Sequence, residues 1–369
     1  MNKLLWVVPE TQGGINSYSR ILWPAVRAKW NELGNDSVSD LYTGLSIDYI
    51  REQSPNIVHV QHEFGVFGRK IPPLYSFPRW VRKLRRKMPE SHVVATAHTT
   101  IGPEFRYPLK GYLWQSPVRW VANNLMLPYL LRVWNEGTWG ALDGVIVHSA
   151  RHAETLREVC KTVHVIPHFV PKLANLSNHS RLSSIPDEPV ILIFGFISRP
   201  KGHDIAVQAV ARMKHRVRLV FAGTSRTKGD ATFLEECLRL ATKMGVRDRV
   251  IVTGHVPDDE ILSIYRKAAL TLAPFRESSG SGSLAFGLAS GTPVLASDIQ
   301  PNLEIVNREP GCLALFEAGN PEKCAERADQ LLDSHSACES IVAAAKRYSE
   351  SNSPSRIAGL HAAFYSGFL

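Results

Sequence analysis

Residues 274–298, PFRESSGSGSLAFGLASGTPVLASD, carry the clearest chemical signal in this chain. The pattern reads strand end, polar glycine-rich turn, small-residue helix, tight turn, strand. Ser281, Gly282 and Ser283 stand where the apolar run LAFGLAS begins, so they are expected to open a helix. The first amides of a helix have no intrahelical acceptor, and with no bulky side chain in the way they make a site for phosphate. Small residues also serve plain helix–sheet packing, and the residues alone leave both uses open. The first use points to a phosphorylated or nucleotide ligand in this half of the chain.

The elements that must hold such a site are α/β in pattern. Apolar runs of strand length alternate with helical patterns: LLWVVP, IVHVQHE, HVVATAHT, GVIVHS and VHVIPH, then PVILIFG, RVRLVFAG, RVIVTGH, LTLAPF, PVLAS and CLALFE. Near-continuous Val/Ile/Leu runs fit parallel strands buried on both faces, and the alternation gives two doubly wound domains. The expected division is a first domain over residues 1–170, a linker over 171–188, a second domain over 189–350 and a C-terminal helix over 351–369 packing back on the first. The linker is rich in Ser, Asn and Pro and has no apolar period. In doubly wound sheets, ligands sit beyond the carboxyl ends of the strands. Polar residues fall at those ends: Gly13-Gly14, His62-Glu63, His98-Thr99, Lys201-Gly202 and Glu277. Two such domains facing one another would gather them around an interdomain cleft.

Composition narrows the classes. With 369 residues, 44% hydrophobic, the chain suffices for two cores of ordinary size. No apolar run approaches the roughly 20 residues of a membrane span. The opening MNKLLWVVPE is too short for a signal-peptide apolar core and enters a strand directly. Five dispersed cysteines with no CxxC pair fit a reducing cytoplasm and argue against a disulfide framework or a zinc site. The net charge of +9 is uneven: residues 69–87 hold eight basic residues and no acidic one, with Tyr75, Phe77, Trp80 and Leu84 interleaved. Residues 105–134 repeat the aromatic-plus-arginine style. Two readings stand for these segments: a strip lying on anionic lipid, or a solvated face packing its aromatics inward. Nucleic acid is set aside because no nucleic-acid module is recognisable.

Taken in order, the Gly13-Gly14-Ile15 loop, HVQHEFGVFG, TAHTT, VIVHS, VIPHFV, FGFISRPKG, VFAG, VTGHVPDDEI and SGSLAFGLASGTPVLASD resemble the retaining, nucleotide-sugar-dependent glycosyltransferases of family 4. The resemblance spans nearly the whole chain, and the HEFG segment is similar to a subgroup acting on cell-surface polysaccharides. It implies the GT-B fold, two doubly wound Rossmann-like domains facing an interdomain cleft. It implies a hexosyltransferase moving mannose or glucose from a donor such as GDP-mannose or UDP-hexose to a glycan or lipid-linked saccharide. No metal or other cofactor is expected. The protein is expected to be cytoplasmic and peripheral on the inner membrane face, with an anionic membrane surface as a further partner and no nucleic acid. Three positions depart from the family pattern. Phe286 stands at its second glutamate, Phe196 at an arginine and Phe169 at a common glycine, while Glu277 is one residue from the place of the first glutamate. A sugar-nucleotide-binding protein without transfer, or a GT-B epimerase, are the alternatives.

Roles follow from the chemistry. A departing nucleoside diphosphate needs its charge neutralised, and Lys201 and Arg199 are cations on one short loop. A cation at a helix start opposes the dipole, which speaks against a purely structural placement of Lys201. Gly282, Ser283 and Leu284 would add amide N–H groups. Glu277 would accept bonds from sugar hydroxyls or cap a helix. His98 is either a satisfied core group or a cleft group; by resemblance it binds the donor sugar. His62 and Glu63 would line the acceptor side or fix the sheet edge. Gly13 and Gly14 would let the backbone approach a ligand, or simply turn the chain. No residue stands out as a covalent nucleophile.

Overall fold

The computed structural model describes residues 2–10, 14–38, 40–63, 67, 76–101, 124, 126–173, 188–278 and 280–369. The chain divides into two compact units, Met1–Pro167 with Pro354–Leu369, and His168–Ser353. The greater part of the expected linker lies outside the described residues.

The first unit is built on β1 (Lys3–Val8), β2 (Asp36–Ser37), β3 (Tyr42–Thr43), β4 (Ile57–His62), β5 (His92–Ala97), β6 (Gly144–Val147) and β7 (Val163–Val165). The order is β2-β1-β4-β5-β6-β7, with β3 also paired to β1, and every pair is parallel. Leu4, Leu5, Trp6, Val7 and Val8 are all fully buried, as a strand covered on both faces requires. β2 and β3 are two residues each and have no apolar run, so the sequence pattern does not announce them.

The second unit carries β8 (Val190–Phe194), β9 (Arg218–Ala222), β10 (Val250–Val252), β11 (Leu270–Ala273), β12 (Val294–Ser297) and β13 (Ala314–Phe316). Their order is β10-β9-β8-β11-β12-β13, all parallel. Alternate residues of β8 serve opposite faces: Ile191 and Ile193 join one core, Val190 and Leu192 the other. The strand order reverses between β8 and β11. Beyond the carboxyl ends of such a pair, two loops diverge to opposite faces and leave a crevice.

The helix Pro354–Ser366 lies on the helix Gly14–Glu32 of the first unit and buries Ile357, Phe364 and Tyr365. The Trp6 indole N–H donates to the Tyr365 hydroxyl at 2.9 Å.

The helix Phe77–Lys87 corrects part of the lipid reading of residues 69–87. Phe77, Val81 and Leu84 are buried on one stripe, as a 3.6-residue period demands, and Trp80 donates its indole N–H to the Leu45 carbonyl at 2.8 Å. These aromatics face the protein. Arg79, Arg82, Lys83, Arg86 and Lys87 face outward, while Arg85 pairs with Asp143. Tyr75 and the rest of residues 68–75 lie outside the described residues. The neighbouring helix Leu127–Trp139 exposes an apolar stripe, with Tyr129 68%, Leu130 48% and Val133 48% accessible, and Met126 just ahead at 57%. No helix among the described residues is long and apolar enough to cross a membrane.

Candidate active site

The crevice of the second unit is built by two loops, one after β8 and one after β11. After β8 the chain turns at Gly195, whose φ of +101° favours glycine and whose added Cβ would stand 2.6 Å from the Lys201 ammonium. A short 3₁₀ turn, Arg199–Lys201, follows and ends at Gly202 with φ +69°. A Cβ on Gly202 would fall 1.9 Å from the Pro274 carbonyl oxygen, so glycine alone lets this loop lie against the end of β11. Arg276 fastens the two loops. Its amide donates to the Pro200 carbonyl at 2.8 Å, one guanidinium nitrogen donates to the Arg199 carbonyl at 2.9 Å, and the fork grips Asp204 at 2.8 and 2.7 Å. Burial raises the Asp204 carboxyl pKa, but the bonds and charge of Arg276 outweigh it and the net shift is downward.

Lys201 points from this loop at the start of the helix Gly282–Ala289. Its Nζ donates to Ser283 Oγ at 2.9 Å and approaches the Phe194 carbonyl at 3.4 Å, with the Phe275 ring 5.6 Å away. All these partners are uncharged, and burial pulls the ammonium pKa down to about 8. Ser281 is the N-cap: its hydroxyl accepts from the Leu284 amide at 3.3 Å and lies 2.8 Å from Ser283 Oγ. The Tyr265 hydroxyl donates to the Ser283 carbonyl at 2.7 Å and steadies the turn from below. The amides of Gly282 and Ser283, at the first two helical positions, have no intrahelical acceptor. A Cβ on Gly282 would meet nothing within 4 Å, so no side chain crowds this helix start at that position. A half-enclosed ammonium, two amides and a helix start come together there, an arrangement that suits a doubly charged phosphate group.

Among the expected site residues of this unit, Lys201, Gly282 and Ser283 come together. Leu284 does not join as a donor, because its amide is taken by the Ser281 cap. Arg199 turns away: it pairs with Glu236 and stacks over the Phe233 ring at 4.6 Å. Glu277 is exposed and makes no hydrogen bond or ion pair among the described residues. Phe196 is covered by the Arg226 guanidinium at 4.8 Å, which brings a cation from beyond β9 to that position. Phe286 packs edge-on to Phe194 at 5.9 Å. Asp204 and Arg276 were missed in the sequence because nothing in their spacing announces a pair 72 residues apart.

In the first unit, His98 stands half-exposed just past β5, its amide donating to the His62 carbonyl at 3.0 Å. Its Nε2 lies 2.9 Å from the Gln61 side-chain oxygen and its Nδ1 3.4 Å from His148 Nε2, while Tyr18 packs edge-on at 4.8 Å. Tyr18 is one turn into the helix that Gly14 opens. Gly14 is exposed with open space at its Cβ position; Gly13 lies outside the described residues. His62 is fully buried among Phe67, Phe77 and Trp139, and burial lowers its pKa to about 3. Its ring is a packing element, and half-exposed Glu63 is the polar group at that strand end. Gln61, His148 and Tyr365 escaped the sequence reading, although VIVHS marks His148 as ending a strand. Among the described residues no group of three or more His, Cys, Asp or Glu is placed to hold a metal ion.

Residues 188–334 match the family model described as Glycosyl transferases group 1, a span that takes in every element of this crevice. A D-inositol 3-phosphate glycosyltransferase of Xylanimonas cellulosilytica is 31% identical over 174 residues, covering 43% of this chain and 41% of that protein. The chain thus spans about two fifths of the length of this curated relative. Among solved structures, sucrose-phosphate synthase from Thermosynechococcus elongatus aligns with a TM-score of 0.71 at 16% identity, over 100% of this chain and 99% of that one. Anabaena Alr3699/HepE in complex with UDP and glucose aligns with a TM-score of 0.73 at 14% identity, over the whole of both chains. The fold class is GT-B, two parallel-sheet Rossmann-like units, as in these structures.

Proposed function

We propose that this protein is a retaining glycosyltransferase that moves a hexose of the mannose or glucose type from a nucleotide sugar to a glycan or lipid-linked saccharide of the cell surface. The observation that carries the reading is the Lys201 ammonium, held against Ser283 at the start of the Gly282 helix with no charged partner among the described residues. When the bond between the sugar carbon and the diphosphate oxygen breaks, the electron pair goes to that oxygen. Lys201 and the two amides meet the new charge where it develops. In this reading the leaving phosphate oxygen takes the acceptor's proton, and His98 of the first unit holds the sugar. The matched family and the relatives above, among them a structure with UDP and glucose, support a nucleotide-sugar donor.

A thermal-shift panel of UDP, GDP, ADP and CMP derivatives, followed by product analysis with the stabilising nucleotide's sugars, tests the reading. A bound nucleotide raises apparent stability by RT ln(1 + [L]/Kd). No stabilisation by any of them would sink it. Phe286 and Phe196, at places where the resembling family carries a carboxylate and a cation, favour a second reading as a sugar-nucleotide-binding protein. Stabilisation without product would support that one.

For the acceptor, the helix Phe77–Lys87 carries the outward cations Arg79, Arg82, Lys83 and Arg86, and its neighbour Leu127–Trp139 exposes Tyr129, Leu130 and Val133. Cations beside exposed apolar groups support adsorption to an anionic membrane, at up to about 1 kcal/mol per basic residue. That would bring the enzyme to a lipid-linked acceptor.

A further inference from the structure

A run of buried polar side chains links His98 to the C-terminal helix. The Ile166 carbonyl accepts from His148 Nδ1 at 2.9 Å, and His148 Nε2 meets His98 Nδ1 at 3.4 Å. His98 Nε2 meets Gln61 Oε1 at 2.9 Å, and the far side of the Gln61 amide lies 3.4 Å from His59 Nε2. His59 also bonds Thr96 Oγ1 at 2.8 Å and the Tyr365 hydroxyl. That hydroxyl receives the Trp6 indole hydrogen and lies 3.3 Å from His361 Nδ1. Gln61, His59, Thr96, Tyr365 and His361 have no exposed surface.

The ends of this run dictate where its hydrogens lie. A carbonyl only accepts, so the hydrogen of His148 is on Nδ1. Burial lowers the pKa of His148 and of His59, keeping both rings neutral near pH 7. Neutral His148 therefore turns a lone pair toward His98, and His98 Nδ1 can face it at bonding distance only by carrying a hydrogen. His98 Nε2 then has two states. With the Gln61 oxygen toward it, Nε2 also donates and the ring is a cation. A half-turn of the amide, which exchanges two groups of nearly equal size, offers NH₂ instead; Nε2 accepts and the ring is neutral. His59 Nε2 can follow either orientation of the amide, because its nearer partner, the Thr96 hydroxyl at 2.8 Å, both donates and accepts.

We propose that His148 and Gln61 are positioning residues for His98: His148 keeps a hydrogen on Nδ1 in both charge states, and Nε2, against the Gln61 amide, is the nitrogen that gains and loses the proton. Free histidine in water favours the opposite neutral tautomer, with hydrogen on Nε2, so the protein imposes the less common form. Among the described residues, ring contacts set two ionisable groups against His98: Tyr18 of the Gly14–Glu32 helix, held protonated by burial, and His148 beyond β6. The tautomer belongs to the resting protein; only its use in catalysis rests on the proposed transfer reaction.

The test is long-range ¹H–¹⁵N correlation on the full chain labelled at histidine, without ligand, with the His98 signals assigned by their loss in His98→Gln. At a pH above its titration, His98 should show a hydrogen-bearing Nδ1 and a bare Nε2. In His148→Phe, which keeps ring volume but removes the acceptor, the neutral ring should revert to hydrogen on Nε2. In Gln61→Glu, whose carboxylate accepts at both oxygens, the cation should persist about one pH unit higher or more. A wild-type spectrum with hydrogen on Nε2 overturns the proposal even if neither variant folds, and so does an unchanged tautomer in folded His148→Phe. No donor enters this measurement. Hydrogen on Nδ1 in a protein that transfers no sugar would keep this inference and end the transferase reading; the converse result would do the reverse.

Discussion

Lys201 offers a test that separates a phosphate-binding ammonium from a merely enclosed one. Its pKa near 8 comes from burial beside neutral partners. A diphosphate bound against it would favour the charged form and return the pKa to at least the unperturbed value of about 10.4. The sign follows from linkage. The free protein holds fewer protons than the complex between these two values, so binding takes up a proton there and affinity falls as pH rises. At pH 7 the free ammonium is already about 90% protonated, and at pH 9 about 10%. Affinity for a nucleoside diphosphate should therefore drop about tenfold from pH 7 to pH 9, or about 1.4 kcal/mol, with about 0.9 proton taken up per ligand at pH 9. The terminal phosphate itself titrates near 6 and contributes little in this window.

Calorimetry with the nucleoside diphosphate that stabilises the protein, run in two buffers of different ionisation enthalpy, reads both quantities at once. Lys201→Arg should flatten the profile, since a guanidinium stays charged throughout. Lys201→Ala should also flatten it and lower transfer about a hundredfold, roughly the 3 kcal/mol of one preorganised contact to a developing charge. Full wild-type affinity at pH 9 with no proton uptake would refute the placement of the diphosphate against Lys201.

Gly282→Ala should leave thermal stability within about 1 kcal/mol, because its new methyl meets open space, yet weaken nucleotide binding by crowding the helix amides; unchanged affinity in calorimetry would remove the ligand from the helix start. His98→Ala should keep near-normal affinity for the free nucleoside diphosphate and lose most turnover, since the groups proposed to hold the diphosphate all belong to the second unit; steady-state kinetics beside calorimetry decide it. Arg79, Arg82, Lys83 and Arg86 changed together to Gln should weaken sedimentation with anionic vesicles, with raised salt mimicking the change over a Debye length of about 8 Å. Wild type that ignores such vesicles at low salt would leave this face merely solvated.

The fold was largely legible because parallel strands covered on both faces leave long apolar runs, and each of the eleven runs read from the sequence became a strand. The turn that opens the Gly282–Ala289 helix was legible for a related reason. A helix start needs its own cap and small residues next to it, so Ser281, Gly282 and Ser283 announce themselves within a few positions. Side-chain direction was not legible. Arg199 and Lys201 are two residues apart on one 3₁₀ turn, yet one leaves for Glu236 and the other turns to Ser283. His62 and His98 both end strands, but the first is closed in by Phe67, Phe77 and Trp139, aromatics contributed from different stretches of chain. The partners of His98 come from β4, from beyond β6 and, through His59, from a helix more than 250 residues later. Only the parallel sheet and the return of the C-terminal helix bring them together.

The charge arithmetic of the crevice explains why Lys201 can stay unpaired. A lysine enclosed by protein ordinarily finds a carboxylate, and Asp204 is only three residues away. Arg276 takes both Asp204 oxygens at 2.7–2.8 Å and, through the Arg199 and Pro200 carbonyls, holds the same loop that carries Lys201. The nearby acid is thus neutralised by a cation that cannot lose its proton, and it is fixed where it cannot swing toward the ammonium. Had Asp204 paired with Lys201 instead, a ligand phosphate would have to displace a carboxylate before gaining any charge stabilisation. With Arg276 in place, burial lowers the Lys201 pKa, and an anion brought against the ammonium would favour its charged form again. Arg276, which the sequence pattern leaves unremarked, therefore keeps the positive charge of this site available to its ligand.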